Sequence, residues 1–276
     1  MDRYAVVGNP IQHSKSPFIH AQFTLQTEQI MRYEAILAPL DQFKQTVDIF
    51  HQSGGKGMNI TVPFKLEAYT LATRLTERAA SAQAVNTFRF EQDGAILGDN
   101  TDGAGLVRDI EINLNLLLQN KRLLLLGAGG AAHGVMLPLL QTNPALLAIA
   151  NRTPDKARQL AQQFIGHGRI EAGHFLDFSG ERFDIIINAT SASLQNQLPP
   201  LPPAIFTDTL LAYDMLYAQQ LTPFLRFARN EGARQIADGT GMLVEQAAES
   251  FFLWRGIRPE TQTVIRQVRQ AQSHAL

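Results

Sequence analysis

The chain has 276 residues, 45% of them apolar and 18% charged, with a formal net charge of -1. That is one large domain or two ordinary ones with a real core, and no basic field exists to hold a phosphate backbone, which argues against nucleic acid as a partner. There is no cysteine, so disulfides and thiolate metal sites are excluded, and the seven histidines (13, 20, 51, 133, 167, 174 and 274) show no close pair at a helical ligand spacing, so no metal is expected. MDRYAVVGNP lacks the apolar stretch of a signal peptide and no run approaches a membrane span, so a cytoplasmic enzyme is expected.

Strand-like and helix-like runs alternate along the chain, the pattern of an α/β fold with mostly parallel sheet. The first part reads as strand YAVVG, a helix from Ser16 to Thr27, strand RYEAIL, a helix across Asp41 to Ser53 and strand GMNITVP. Helices over KLEAYTLA and TERAASA follow, then strands AVNTFRF and AILGD, joined by EQDG, whose Asp93-Gly94 signals a hairpin. A long helical pattern runs through GLVRDIEINLNLLL, and a domain boundary is expected within it. The leucines of KRLLLLGAGG have the unbroken apolar character of a strand covered on both faces. Beyond it come strand LLAIAN, a helix from Pro154 capped by Thr153, strands FDIIINAT and LAYDMLY, a helix capped by Thr222 with Pro223 first, and strand RQIADG. Helix GMLVEQAAESFFLWRG and another after Pro259 are expected to return to the first domain. The expected domains are 1-101 plus 240-276, and 102-239.

Gly127, Ala128, Gly129, Gly130 and Ala131, with Ala132, match the turn G-x-G-x-x-A between a buried strand and a helix. There the first glycine permits a tight turn, the second lets a pyrophosphate approach the backbone, and the small residue lets helix and strand pack closely, as in Rossmann-type nucleotide domains. At the end of the next strand NAD-binding folds place a carboxylate on the ribose hydroxyls. Here Asn151 and Arg152 stand instead, with Lys156 a helical turn on. A guanidinium attracts a 2′-phosphate that a carboxylate would repel, so NADP is favoured over NAD.

Four segments near strand ends, GNPIQHSKSP, NITVPFK, AVNT and GDNTDG, carry Ser14, Ser16, Thr61, Lys65, Asn86 and Asp102. Strand ends converge on one edge of a parallel sheet, and this neutral hydroxyl and amide set with one cation and one anion suits a small polyhydroxylated acid. Each residue also has a bland role: Ser14 or Ser16 as a cap of the first helix, Asn86 as a turn former, Asp102 as a cap of the long helix, Lys65 as a solvated helix start.

These segments, together with GAGGA, ANRT, NAT, YDMLY and ADGTGMLVEQAA, occur in an order that resembles the shikimate dehydrogenase family from Gly8 to about Ala248. The resemblance implies a two-domain α/β enzyme: an N-terminal substrate domain completed by C-terminal helices, and a Rossmann-type NADP-binding domain. It implies NADP-linked, reversible reduction of 3-dehydroshikimate to shikimate, no membrane or nucleic-acid partner, and a homodimer as the assembly to test. It places Ser14 and Ser16 at the substrate carboxylate, Thr61, Asn86, Asp102 and Gln246 at its hydroxyls, and Tyr217 beside the substrate near the nicotinamide. Lys65 and Asp102 become the catalytic pair, with Lys65 either proton carrier or charge stabiliser. Glu77, Gly127 to Ala131, Asn151, Arg152, Thr153, Lys156, Met215 and Gly239 fall to the cofactor. Departures from the family pattern are His133, where arginine is common, Ala192 and Ser193, Thr240, and Lys156.

Overall fold

The computed structural model describes residues 1–273, so His274 and the last residues of the expected 240-276 segment lie outside the described residues. The chain divides into two compact units, 1–105 with 243–276 and 106–242. Both breaks fall inside helices, a few residues beyond the expected positions, because a helix carries its hydrogen bonding across the point where its packing partners change.

In chain order the first part comprises β1 (Asp2–Gly8), α1 (Ser16–Gln26), β2 (Met31–Leu37), α2 (Phe43–Gln52), β3 (Gly55–Ile60) and α3 (Lys65–Leu71), then β4 (Arg74–Leu75), α4 (Glu77–Ala82), β5 (Thr87–Phe90), β6 (Ile96–Asp99) and α5 (Asp102–Arg108). The sheet runs β2-β1-β3-β5-β6-β4. β1 is parallel to β2 and β3, but β5 is antiparallel to both its neighbours. The β5–β6 hairpin turns at Gly94, whose φ of 83° suits glycine. One sheet face packs Ala5, Val7, Met58, Ile60 and Phe88 against Phe43, Val47 and Phe64.

The long helix expected through Leu118 is cut short. α5 passes into a π-helical turn, Asp109–Asn113, and Asn115 at φ 54° is left-handed, which a right-handed helix cannot propagate through. Leu118 then enters the core.

The second unit continues with β7 (Arg122–Leu126), α6 (Gly130–Gln141), β8 (Leu146–Ala150), α7 (Pro154–Gln163), β9 (Ile170–Gly173), β10 (Ile185–Asn188), β11 (Leu211–Asp214), α8 (Pro223–Asn230) and β12 (Gln235–Asp238). Its sheet, β12-β11-β10-β7-β8-β9, is wholly parallel. Leu123 and Leu125 join one core and Leu124 and Leu126 the other, so β7 is covered on both faces. The short β4 and β9 are not foreseen by the apolar pattern: β9 is an edge strand, IEAG, with little apolar signal.

Last come α9 (Thr240–Arg255) and α10 (Gln262–Ser273). From Leu243 onward they belong to the first unit, where Val244, Ala247, Phe251, Val264 and Val268 pack with Tyr4, Ile19 and Phe23 on the other face of its sheet. No helix among the described residues is long and apolar enough to cross a membrane.

Candidate active site

In the first unit, residues from four segments meet at one sheet edge. The converging parallel ends expected from the sequence are only part of the reason. Thr61 follows the carboxyl end of β3, but Asn86 precedes β5, and it reaches the same edge because β5 runs antiparallel, with Thr87 opposite Asn59 and Asp99. Lys65 opens α3 and Asp102 opens α5, and the Lys65 ammonium donates to Asp102 Oδ2 at 2.6 Å. The pair is partly buried, the lysine side chain 32% and the aspartate 19% exposed. The other carboxylate oxygen, Oδ1, accepts from Asn86 Nδ2 at 2.8 Å, and Gln246 Oε1 lies 3.5 Å from the same nitrogen. Lys65 is thus partly exposed but tethered: both carboxylate oxygens of its partner are engaged, and an ammonium carries further protons that a ligand could accept.

Ser16 is the first residue of α1 and no side-chain cap bond forms there, so the capping role is not realised. Its amide donates to Ser14 Oγ at 3.3 Å, and its side chain hydrogen-bonds the Tyr33 phenol. Glycine is required at Gly8, at the end of β1, because a Cβ there would collide with the Thr61 methyl. Glu77 lies exposed in the first turn of α4 and shares no hydrogen bond with this cluster. Its neighbour Arg78 instead clamps the buried Asp99 through two bonds at 2.7 and 2.6 Å, fixing the start of the loop that carries Asp102.

The glycine turn of the second unit has the local geometry of a phosphate cradle. Gly127 has φ 108°, closed to side chains, and a Cβ would press on the Ala189 carbonyl. Gly129 caps α6, and at Gly129 and Gly130 a Cβ would meet nothing within 4 Å, so the start of the helix, where orphan amides attract anions, is uncrowded. His133, where a guanidinium would add fixed charge, is pushed below its ordinary value by partial burial. At the end of β8, Asn151 Nδ2 donates to the Thr153 carbonyl at 2.9 Å. Thr153 takes the cap position of α7 but its hydroxyl makes no cap bond. Arg152 and Lys156 are exposed and form no ion pair among the described residues. An exposed, uncompensated pair of cations beside a cradle lacking a carboxylate fits a dinucleotide with an extra phosphate.

Met215 and Tyr217 follow β11, and Gly239 follows β12. A Cβ on Gly239 would collide with the Met215 carbonyl oxygen, so glycine is needed to let the two loops touch. Asp214 is fully buried and accepts from Thr222 Oγ1 at 2.6 Å, Ser193 Oγ at 2.9 Å and Asn188 Nδ2 at 3.2 Å. Burial pushes its carboxyl up, against hydrogen bonds from Thr222, Ser193, Leu216 and Asn188 that pull it down. Thr222 also accepts from the Leu225 amide, so it caps α8 as expected. Partial burial raises the Tyr217 phenol, which keeps it a neutral donor.

Sequence reasoning missed Asn59, Thr87, Thr101 and Ser250, all buried and all bonded to or around Asn86. Three lie inside the quoted segments, and Ser250 follows Gln246 by one helical turn on α9, a spacing that could have pointed to it.

The glycine cradle and the carboxylate-free basic end of β8 define the class, an α/β oxidoreductase using a nicotinamide dinucleotide. Residues 6–88 match the family model described as the shikimate dehydrogenase substrate binding domain, residues 111–196 that of shikimate / quinate 5-dehydrogenase, and residues 239–269 the shikimate 5′-dehydrogenase C-terminal domain. The chain is 67% identical over 274 residues to the shikimate dehydrogenase (NADP(+)) of Nitrosomonas europaea, covering 99% of each. A crystal structure of an enzyme from Pseudomonas putida superposes with a TM-score of 0.93 at 52% identity, covering 97% of this chain and 98% of that one. Shikimate 5-dehydrogenase from Thermus thermophilus, in complex with NADP(H) and shikimate, superposes with a TM-score of 0.84 at 30% identity over 100% of both chains. The chain belongs to the NADP-dependent shikimate dehydrogenase family.

Proposed function

We propose that this protein catalyses the reversible NADP-linked reduction of 3-dehydroshikimate to shikimate, as a cytoplasmic enzyme of aromatic amino-acid biosynthesis, with Lys65 and Asp102 as the catalytic pair. The observation that carries the reading is the partly buried Lys65–Asp102 contact at 2.6 Å, with Asn86 on the second carboxylate oxygen. NADPH, when bound, supplies the hydride that reduces the ketone. The chain must supply a proton to the oxygen of the same carbon, where negative charge develops. Lys65 Nζ holds such protons while Asp102 fixes its direction. In the reverse sense the lysine stabilises the departing proton's oxygen or takes the proton itself.

Ser14 and Ser16, at the start of α1, would hold the substrate carboxylate. Thr61, Asn86, Asp102, Gln246 and the neutral Tyr217 phenol would take its hydroxyls. In the second unit, Gly127, Ala128, Gly129, Gly130 and Ala131 would cradle the cofactor's pyrophosphate. Asn151, Arg152, Thr153 and Lys156 would read its phosphorylated ribose, and Met215 and Gly239 would flank its nicotinamide. The test offers shikimate or quinate with NADP or NAD in all four combinations and follows nicotinamide absorbance. Shikimate with NADP should give by far the highest kcat/KM. Equal turnover of quinate, or a preference for NAD, would overturn the assignment.

A further inference from the structure

Asn86 is pinned from behind by a hydrogen-bond chain whose direction can be read from groups that only donate or only accept. Asn59, Thr87, Thr101 and Ser250 are all buried, with 6% exposure at most. The Asn86 carbonyl can only accept, so the Asn59 atom 3.3 Å from it is the amide nitrogen Nδ2. Asn59 Oδ1 is thereby turned to Tyr33, whose hydroxyl donates to it at 2.7 Å. Asn59 Nδ2 also lies 3.0 Å from both Thr87 Oγ1 and Ser250 Oγ. Ser250 Oγ lies 3.0 Å from the Gln246 carbonyl and 2.8 Å from Thr87 Oγ1, with either hydroxyl able to donate across the second contact. Thr87 Oγ1 is also 2.8 Å from Asn86 Oδ1, which can only accept, so that bond forms with Thr87 as the donor. The Thr101 amide, which can only donate, reaches the same oxygen at 2.9 Å. With Oδ1 held by two donors, Asn86 Nδ2 has no orientation left but toward Asp102.

We propose that Thr87, backed by Asn59, Ser250 and Tyr33, is a positioning residue that locks the Asn86 amide against flipping and so keeps Asp102 aligned on Lys65. The proposal rests on the catalytic reading of Lys65 and Asp102. A flipped Asn86 would fit the same space but set its carbonyl oxygen against the Asp102 carboxylate, acceptor against acceptor. Each hydroxyl in the chain therefore opposes a state in which Asp102 loses its donor, and removing one lowers the fraction of molecules in the competent arrangement.

The test is a double-mutant cycle on kcat/KM for shikimate at saturating NADP, using Thr87→Val, Asn86→Ala and the double variant. Thr87→Val keeps the shape and removes the proton, and should lower kcat/KM by about tenfold. Thr87→Ser, which keeps the hydroxyl, should stay within about twofold of wild type. In the Asn86→Ala background Thr87→Val should cost nothing further. Ser250→Ala should follow the same pattern and serves if Thr87→Val does not fold. Equal losses from Thr87→Val with and without Asn86 would show that Thr87 acts by packing alone and overturn this proposal by itself. Full activity of Asn86→Ala would overturn this proposal and leave the Lys65–Asp102 reading standing, whereas full kcat of Lys65→Ala would overturn that reading, and this proposal with it.

Discussion

Lowering the pH from 7 to 5 should weaken the fold by about 2 kcal/mol through one residue, His20. Its ring is fully buried on α1, stacked on Tyr33 with centroids 4.1 Å apart and surrounded by Phe23, Phe251 and Trp254. Neither ring nitrogen has a hydrogen-bond partner. Burial lowers its pKa from 6.5 to about 3, against a smaller opposing effect of the Asn59 side chain. The folded protein therefore takes up this proton near pH 3 and the unfolded chain near 6.5. Between those values the unfolded state binds more protons, so stability rises with pH by about 1.4 kcal/mol per unit. The contribution is fully present above about 6.5 and is lost as the pH falls toward 3. At pH 5 the protein is about 1.5 units into that window, which gives the 2 kcal/mol. Urea unfolding of wild type and His20→Leu at both pH values isolates the effect, because the packing cost of leucine is common to both. The wild type should lose about 2 kcal/mol more than the variant between pH 7 and 5. The same pH change in both proteins would refute the reasoning.

Lys65→Ala should lower kcat roughly 100- to 10,000-fold with little change in KM for shikimate, the signature of a group used in the transition state. Steady-state kinetics at saturating NADP checks this, and a variant that kept kcat and lost only affinity would reduce Lys65 to a binding residue. Arg152→Asp should weaken NADP by about 10- to 100-fold, because a charge-assisted bond of roughly 1.5–3 kcal/mol is lost, while NAD use falls little. Comparison of kcat/KM for both cofactors at low and high salt decides it: the effect should shrink with salt at this exposed position, and an equal loss of NADP and NAD would show that Arg152 does not read the phosphate.

Features that depend on neighbours along the chain were legible in the order of residues alone. The doubly covered β7 follows from four consecutive leucines, the cradle from glycines at fixed spacing, and the start of α8 from Thr222-Pro223. Lys65, Asp102, Asn86 and the two serines stood out because polar residues interrupt strand ends, where backbone geometry leaves side chains unpaired. The tertiary structure decided what depends on register and on helices returning from far along the chain. The β5–β6 hairpin sets Asn86 beside Asp102, but that pair reaches Lys65, beyond the end of β3, only because β5 runs antiparallel beside β3, and that pairing direction is set by contacts across the sheet. Asn59 reaches Ser250, 191 residues away, only because α9 packs back on the first unit. Whether Ser16 caps a helix or opens one, and where the helix after Asp102 ends, turned on single backbone angles at Lys15 and Asn115. A serine before proline, or an asparagine in a leucine-rich run, is compatible with either outcome until the surrounding core selects one, since the local preferences differ by less than the burial that packing brings.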